Sequence, residues 1–444
     1  MQGNLGQKEK VTARRAQLQK RLPLGVGLVF LGALAYVWLG LPAGLLGVAW
    51  PSMRQDFLVP QDALGALFLA SNFGYLPCTF LAGRLAARFH LGVLLAASTF
   101  LAGSAFAVYA LSPSWWVVVG AGVLSGVGGG GIDAALNIYV AANHGERAMQ
   151  WLHACYGVGA MIGPILMTLA ISSLGSWRWG YSIVGAIEWG LAVCFLVTVS
   201  RWNGRVGQGA EAKPQTEGHA FGREGSAAAH QESSLSAGRA ESAAVSRQVP
   251  LLHTLREWSV WLSMLLFFVY MGLEVTLGSW AYTLLTEGRA VSPRAAGFFM
   301  SGYWGIFTIG RLAAGLYIRR FALRNIVVGS LGVAGIGLVL LTLNVPGLLN
   351  LIACALVGLA ISPVLAALLS ETPTRVGATH MANTIGMQLA ATAVGAAVLP
   401  SLAGVVAGRI SLQAVPAYLL GVLVLLLGLY LVPHLYRSRV WQRP

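Results

Sequence analysis

From Gly126 to Pro164 the chain reads GVGGGGIDAALNIYVAANHGERAMQWLHACYGVGAMIGP. Two apolar segments meet there across a short polar hinge, Asn143-His144-Gly145-Glu146-Arg147. Asp133 is the one charged residue between Leu91 and Val140. A carboxylate at membrane depth is costly, so it faces a cavity or a partner and serves a purpose. Helical spacing places Gly126, Gly130, Asp133 and Asn137 on one stripe. The glycines admit a neighbouring helix or a ligand, and Asp133 and Asn137 bring polarity to the same place. The second segment repeats the design, with His153, Tyr156 and Ala160 on one face and a Gly159–Gly163–Pro164 ending. The stretch has the outline of a transport site.

The surrounding composition sets the medium. Of the 444 residues, 56% are apolar and 10% are charged, against roughly a quarter charged in soluble domains. About twelve stretches are long enough to cross a bilayer as helices of roughly 20 residues. They lie near 24–50, 63–86, 91–111, 115–141, 152–174, 179–200, 258–286, 293–318, 324–343, 348–371, 379–406 and 412–436. The expected fold is therefore an all-α membrane protein of twelve transmembrane helices, in two six-helix lobes related by pseudo-two-fold symmetry.

The net charge of +14 invites a nucleic-acid reading, which position argues against. With both termini inside, the outer loops hold Arg54, Arg178, Arg289, Arg294 and Arg409, and every other one of the 29 Lys and Arg falls on the inner side. That asymmetry places both termini in the cytoplasm and the protein in the plasma (cytoplasmic) membrane. The basic surplus is then topological and contacts anionic lipid rather than nucleic acid. The four cysteines lie within expected spans without metal-like spacing, so no metal site or cofactor is expected. No nucleophile–base motif points to an enzyme.

Five regions follow from composition: a basic arm at 1–22, a first six-helix lobe at 23–200, a flexible linker at 201–257, a second six-helix lobe at 258–436 and a tail at 437–444. The linker is rich in Gly, Ala, Ser and Gln and cannot bury a core. The halves echo one another. Tyr36, Gly40 and Gly44 correspond to Tyr270, Glu274 and Gly278, and Gly159 and Pro164 to Gly395 and Pro400. Such parallel repeats build two-lobed transporters.

Further polar faces complete the candidate site. Asn72, Tyr75 and Thr79 share a face of the second span, and Ser301, Trp304, Thr308 and Arg311 share one in the eighth. For the first of these faces, polar residues knitting helices together is an equal reading. Glu274 is a second acid inside a span, with Tyr270 one turn before it. Thr384, Gln388 and Thr392 line one face of the eleventh span, beside Asn383. Trp304 and Trp280 are aromatic surfaces on which a ring can stack. Arg311 lies nearer the cytoplasm, as a gate or lipid contact. Glu188, beside Trp189, is read as structural.

Gly83 to Gly92 resembles the loop signature of the major facilitator superfamily, a glycine followed four residues later by an acid and then an arginine. Gly83 and Arg88 fit it, with Ala87 in the acidic slot. The second half repeats the skeleton at Gly315 and Arg320, with Arg319 in that slot. These gate residues lack the acids that lock the family's cytoplasmic gate. The stretch from Gly126 to Pro164 resembles the fucose–galactose–glucose:proton symporters, where the acid matching Asp133 is linked to proton coupling. His153 stands where those permeases carry a glutamine near the sugar. Tyr270, Glu274, Gly278, Trp280, Ser301, Trp304 and Arg311 resemble spans seven and eight of sodium-dependent glucose transporter-like relatives. The first span lacks the acid of fucose permease, which leaves Glu274 to share the coupling with Asp133.

The resemblance implies a monomeric symporter of a sugar or other small polar solute, coupled to H+, with Na+ left open. Asp133 and Glu274 would carry the proton. Asn137, His153, Tyr156, Asn72, Tyr75, Tyr36, Tyr270, Trp280, Ser301, Trp304, Gln388 and Asn383 would meet the substrate. An exporter or lipid-linked flippase of the same fold is the alternative, and a membrane sensor without transport ranks third.

Overall fold

The computed structural model describes residues 22–202, 251–318, 320–344, 348–377 and 379–440. The basic arm, nearly all of the linker and the last residues of the tail lie outside that set. Two compact units emerge, one comprising Met1–Gly204 with Gly278–Thr308 and the other Arg205–Leu277 with Ile309–Pro444. The first unit thus takes in a segment from the second half of the chain.

Among the described residues, the first half holds six long helices: α1 (Leu22–Phe57), α2 (Leu64–Arg88), α3 (Leu91–Leu111), α4 (Trp115–Asn143), α5 (Gly145–Leu174) and α6 (Trp177–Val197). The second half supplies α7 (Trp258–Thr283), α8 (Pro293–Tyr317), α9 (Leu323–Thr342), α10 (Leu348–Ile361), α11 (Val364–Ser370), α12 (Met381–Arg409) and α13 (Val415–Val440). Among the described residues, eleven helices pass on length and apolarity for crossing a membrane. The twelfth is α8, whose polar stripe and two arginines lower its hydropathy. One expected span is interrupted: α10 and α11 are separated at Ser362-Pro363. Pro363 has no N–H to give to the helical ladder, which favours a break at this point.

Backbone contact organises the first unit. In lipid the helices gain no hydrophobic drive toward one another, so association depends on close packing of small residues. α1 lies on α5, where a methyl group at Gly159 would fall 1.8 Å from the Val37 carbonyl oxygen and one at Gly40 would fall 2.0 Å from that of Tyr156. α2 lies on α4 in the same manner, with 1.9 Å from a Gly126 methyl to the Ser71 carbonyl oxygen. α3 packs against both α4 and α6, through Gly128 and Gly103. Pro42 sits inside α1, which runs on to Phe57.

One end of this unit is pinned by polar groups. Trp177 Nε1 donates to Asp56 Oδ2 at 2.7 Å, and Arg178 donates to the Ala110 and Ser112 carbonyls while covering the Trp177 ring. At that end a π-helical turn, Leu284–Gly288, brings Glu287 to Arg54 and Gln61. The portion of α8 in this unit follows α5 closely. Ser301 Oγ donates to the Met161 carbonyl, and Gly157 and Thr168 of α5 meet Thr308 and Gly297.

The second unit uses the same pairing. Gly395 on α12 meets the Phe268 carbonyl of α7, and Gly337 on α9 meets that of Ala353 on α10. Fifth-on-first packing therefore recurs in both halves.

Glycine contact of this kind predicts a sharp positional contrast. Gly159→Val should cost about 2–3 kcal/mol by overpacking and lower the melting temperature in detergent. Gly190→Val, at a position with open space around it, should leave melting unchanged. Equal melting of the two variants would show that the α1–α5 contact does not hold this unit together.

Candidate functional site

Asp133 is the focus of the first unit. α4 carries it half-buried on the face turned toward α1 and α2. Tyr36 of α1 and Asn137 Nδ2 both donate to Oδ1, the latter at 2.9 Å. Tyr75 of α2 donates to Oδ2 at 2.6 Å. A carboxylate accepts up to about four such bonds, so three donors from three helices nearly saturate it. Charge-assisted bonds of this kind are about twice as strong as neutral ones. The glycine contacts above bring both tyrosines within reach.

Two polar side chains of α5 border this cluster. The His153 ring meets the edge of Tyr36 at 5.6 Å between centroids. Tyr156 lies close enough to Tyr75 to interact with it electrostatically. Tyr36, Tyr75, Asp133, Asn137, His153 and Tyr156 thus form one constellation. It offers hydroxyl, amide and imidazole groups around a single acid, a set suited to hydroxylated solutes. Asn72 is drawn elsewhere and donates to the Phe68 carbonyl of its own helix at 3.0 Å.

Trp304 and Trp280 also belong to the first unit and are nearly fully buried, at 5% and 1% exposure. The Trp304 ring covers Gly278, and its Nε1 has no hydrogen-bond partner among the described residues. Ser301 spends its hydroxyl on α5. Glu188 is buried against Gly103 on the α3–α6 face, away from the Asp133 constellation.

The second unit assembles a different group. Arg311 Nη2 lies 3.0 Å from Glu274 Oε2, in an ion pair whose acid is 8% exposed and whose arginine is 35% exposed. One turn along α7, the Tyr270 hydroxyl donates to the Ile361 carbonyl at 3.1 Å. Ile361 precedes the Ser362-Pro363 break, and interrupted helices in membranes occur where the backbone is buried in protein or lines a cavity. Arg311, read from the sequence as a gate, is here the counter-charge of Glu274.

Gln388 and Asn383 bond other residues of the second unit. Gln388 is fully buried and donates to Ser263 Oγ at 2.6 Å and Thr372 Oγ1 at 3.0 Å. Asn383 donates to Thr254 at 3.1 Å. Gln388 belongs to a network the sequence reading missed. Arg375 bonds Ser263 at 3.1 Å and Glu371 at 2.9 Å, while the Tyr430 hydroxyl donates to Glu371 at 2.7 Å. The i, i+4 spacing of Glu371 and Arg375 was a signal in the chain; their partners on α7, α12 and α13 left none. Of the expected gate positions, Gly83 lies within α2, and Gly315 has open space around it. Arg88 and Arg320 are exposed, and neither enters an ion pair among the described residues. Arg319 lies outside the described residues.

The family model described as Major Facilitator Superfamily matches residues 32–391. Bypass of stop codon protein 6 of Saccharomyces cerevisiae is 25% identical over 410 residues, covering 86% of this chain and 77% of its own. Among solved structures, a mutant of the nucleoside transporter NupG superposes with a TM-score of 0.69 at 14% identity, covering 89% of this chain and 96% of its own. The D-xylose-proton symporter does so with a TM-score of 0.65 at 14% identity, covering 91% and 96%. Likeness at such identity establishes the fold alone.

The Glu371–Arg375 network predicts an asymmetric response. Arg375→Met leaves the part-buried Glu371 without its guanidinium, a loss of about 2–3 kcal/mol, below the roughly 3–5 kcal/mol of a fully buried pair, visible as a lower melting temperature. Adding Glu371→Met in the same chain should restore much of that loss. No recovery in the double variant would show that the pair is not the source of the effect.

Proposed function

Because the chain belongs to the Major Facilitator Superfamily, we propose that it is a secondary transporter carrying a sugar or other small polar solute by proton-coupled symport and alternating access. The observation that carries this reading is the Asp133 constellation. An acid at membrane depth is expensive unless it works, and here three donors bind its charged form. When a proton arrives, the acid accepts fewer bonds and a tyrosine hydroxyl or the Asn137 amide turns to the solute. Binding of proton and solute then favour one another, which is the meaning of coupling. The named solutes of the structural neighbours, a nucleoside and D-xylose, are hydroxylated and support the class. The skew of Lys and Arg supports cytoplasmic termini. The protein acts as a monomer.

The test starts from a thermal-stability screen of sugars and nucleosides on purified protein, and takes the best stabiliser into proteoliposomes. Asp133→Asn should abolish uphill uptake driven by a pH gradient and retain counterflow, since an amide resembles the protonated acid in shape and hydrogen bonding. Asn137→Ala should instead weaken binding about tenfold, losing one or two hydrogen bonds. Full concentrative uptake by Asp133→Asn would remove Asp133 from the coupling step.

A further inference from the structure

The Glu274–Arg311 pair poses a charge problem that the Asp133 constellation does not. A guanidinium is not deprotonated in a protein, so Arg311 keeps its charge whatever Glu274 does. While Glu274 is ionised, the pair is neutral as a whole. If a proton from the aqueous side bonds to a Glu274 oxygen, the carboxyl is neutral and the guanidinium loses that carboxylate as counter-charge. A guanidinium at membrane depth that gives up this carboxylate loses favourable compensation, even where it is part-exposed. A neutral sugar brings no charge to replace it. An anion does.

The surroundings allow such an exchange. The acid is the buried partner and the arginine the accessible one, at 8% and 35% exposure. Arg311 lies on the stripe of α8 that holds Trp304 and Thr308, whereas Ile309, Leu312 and Leu316 form the exposed apolar side. Among the described residues, Tyr270 of its own helix and Arg311 of α8 meet Glu274. The break between α10 and α11 brings the Ile361 carbonyl to Tyr270 and the Ser362 hydroxyl to Gly310, next to Arg311. Where α12 packs on this part of α7 it presents Gly395 and Leu399, which are apolar.

We propose that Arg311 is an anion-binding site that Glu274 occupies as a built-in competitor, so that the solute carries an acidic group and its carboxylate replaces Glu274 when that residue takes a proton. One proton and one anion enter together, no net charge is added, and no bond other than the O–H on Glu274 is made or broken. The proposal rests on the transporter reading for its consequence, the carriage of an organic anion, and on the ion pair for binding itself. It would make Glu274 a positioning residue as well as a proton carrier, since it sets whether Arg311 can accept the solute.

The experiment compares gluconate, lactate and inorganic phosphate with glucose by thermal shift and isothermal titration on the full-length protein in a buffer of bulky sulfonates. Wild-type protein should bind at least one of the three anions about tenfold more tightly at pH 5.5 than at pH 7.5, within the usual range of coupling between two sites. Glucose should show no such dependence. Glu274→Gln should bind the same anion tightly and equally at both pH values, and Arg311→Gln should lose it. Should Glu274→Gln not fold, the wild-type pH dependence and its loss in Arg311→Gln still decide. Weak binding of all three anions at both pH values, or binding that survives Arg311→Gln, overturns the proposal. Asp133→Asn separates this from the transport reading. Anion binding that persists in that variant, together with gradient-driven sugar uptake by wild type and no role for Glu274 in it, leaves the symport reading standing and the anion site outside it. Anion binding with no transport of any solute leaves the site standing and sinks the symport reading.

Discussion

A carboxylate inside an apolar helix must find donors or stay neutral, and the first unit is arranged around that constraint. Asp133 draws a tyrosine from α1, a tyrosine from α2 and an asparagine from its own helix. Those donors reach it only if the helix axes come close. Closeness is supplied by glycines at the crossing points, where α1 touches the backbone of α5 and α4 touches that of α2. The polar centre and the bare backbone faces are therefore one device. A larger residue at Gly126 would move Tyr75, one turn from Ser71, along with the rest of α2.

The second unit answers a similar constraint with a pair of opposite charges rather than with neutral donors. Glu274 and Arg311 compensate each other, and Tyr270 ties the same face of α7 to a carbonyl beside the Pro363 break. In each half, a tyrosine of the first helix bonds the fourth helix of its own repeat: Tyr36 reaches Asp133, and Tyr270 reaches Ile361. The repeat keeps the direction of the contact and changes its chemistry. The difference follows from what the fourth helix offers, an aspartate in one half and a broken backbone in the other.

The polar residues of α12 show how burial redirects a side chain. Gln388 has a donor group that reaches Ser263 and Thr372, and these belong to the network that holds Glu371 beside Arg375 and Tyr430. A buried amide left without partners costs roughly 1–3 kcal/mol, so a fixed network is the stable arrangement. Its members come from α7, α12, α13 and the segment after α11, which the network joins.

Much of this was legible in the chain. Span number, the acid isolated in an apolar run, the glycine stripe and the internal repeat all follow from composition and from a period of 3.6 residues, because a membrane forces backbone groups into helices and makes each charge conspicuous. Periodicity assigned Asp133 and Asn137 to one stripe, and His153 and Tyr156 to another. It gave no reason to choose Tyr36 and Tyr75 over Asn72, since a helical stripe does not say which helix lies opposite or at what rotation. The pairing of Glu274 with Arg311, the burial of Gln388 in a network with Ser263 and Thr372, and the grouping of Gly278–Thr308 with the first six helices were decided by packing. Each depends on contact between residues far apart in the chain, and such contact is fixed only when the helices have chosen their neighbours.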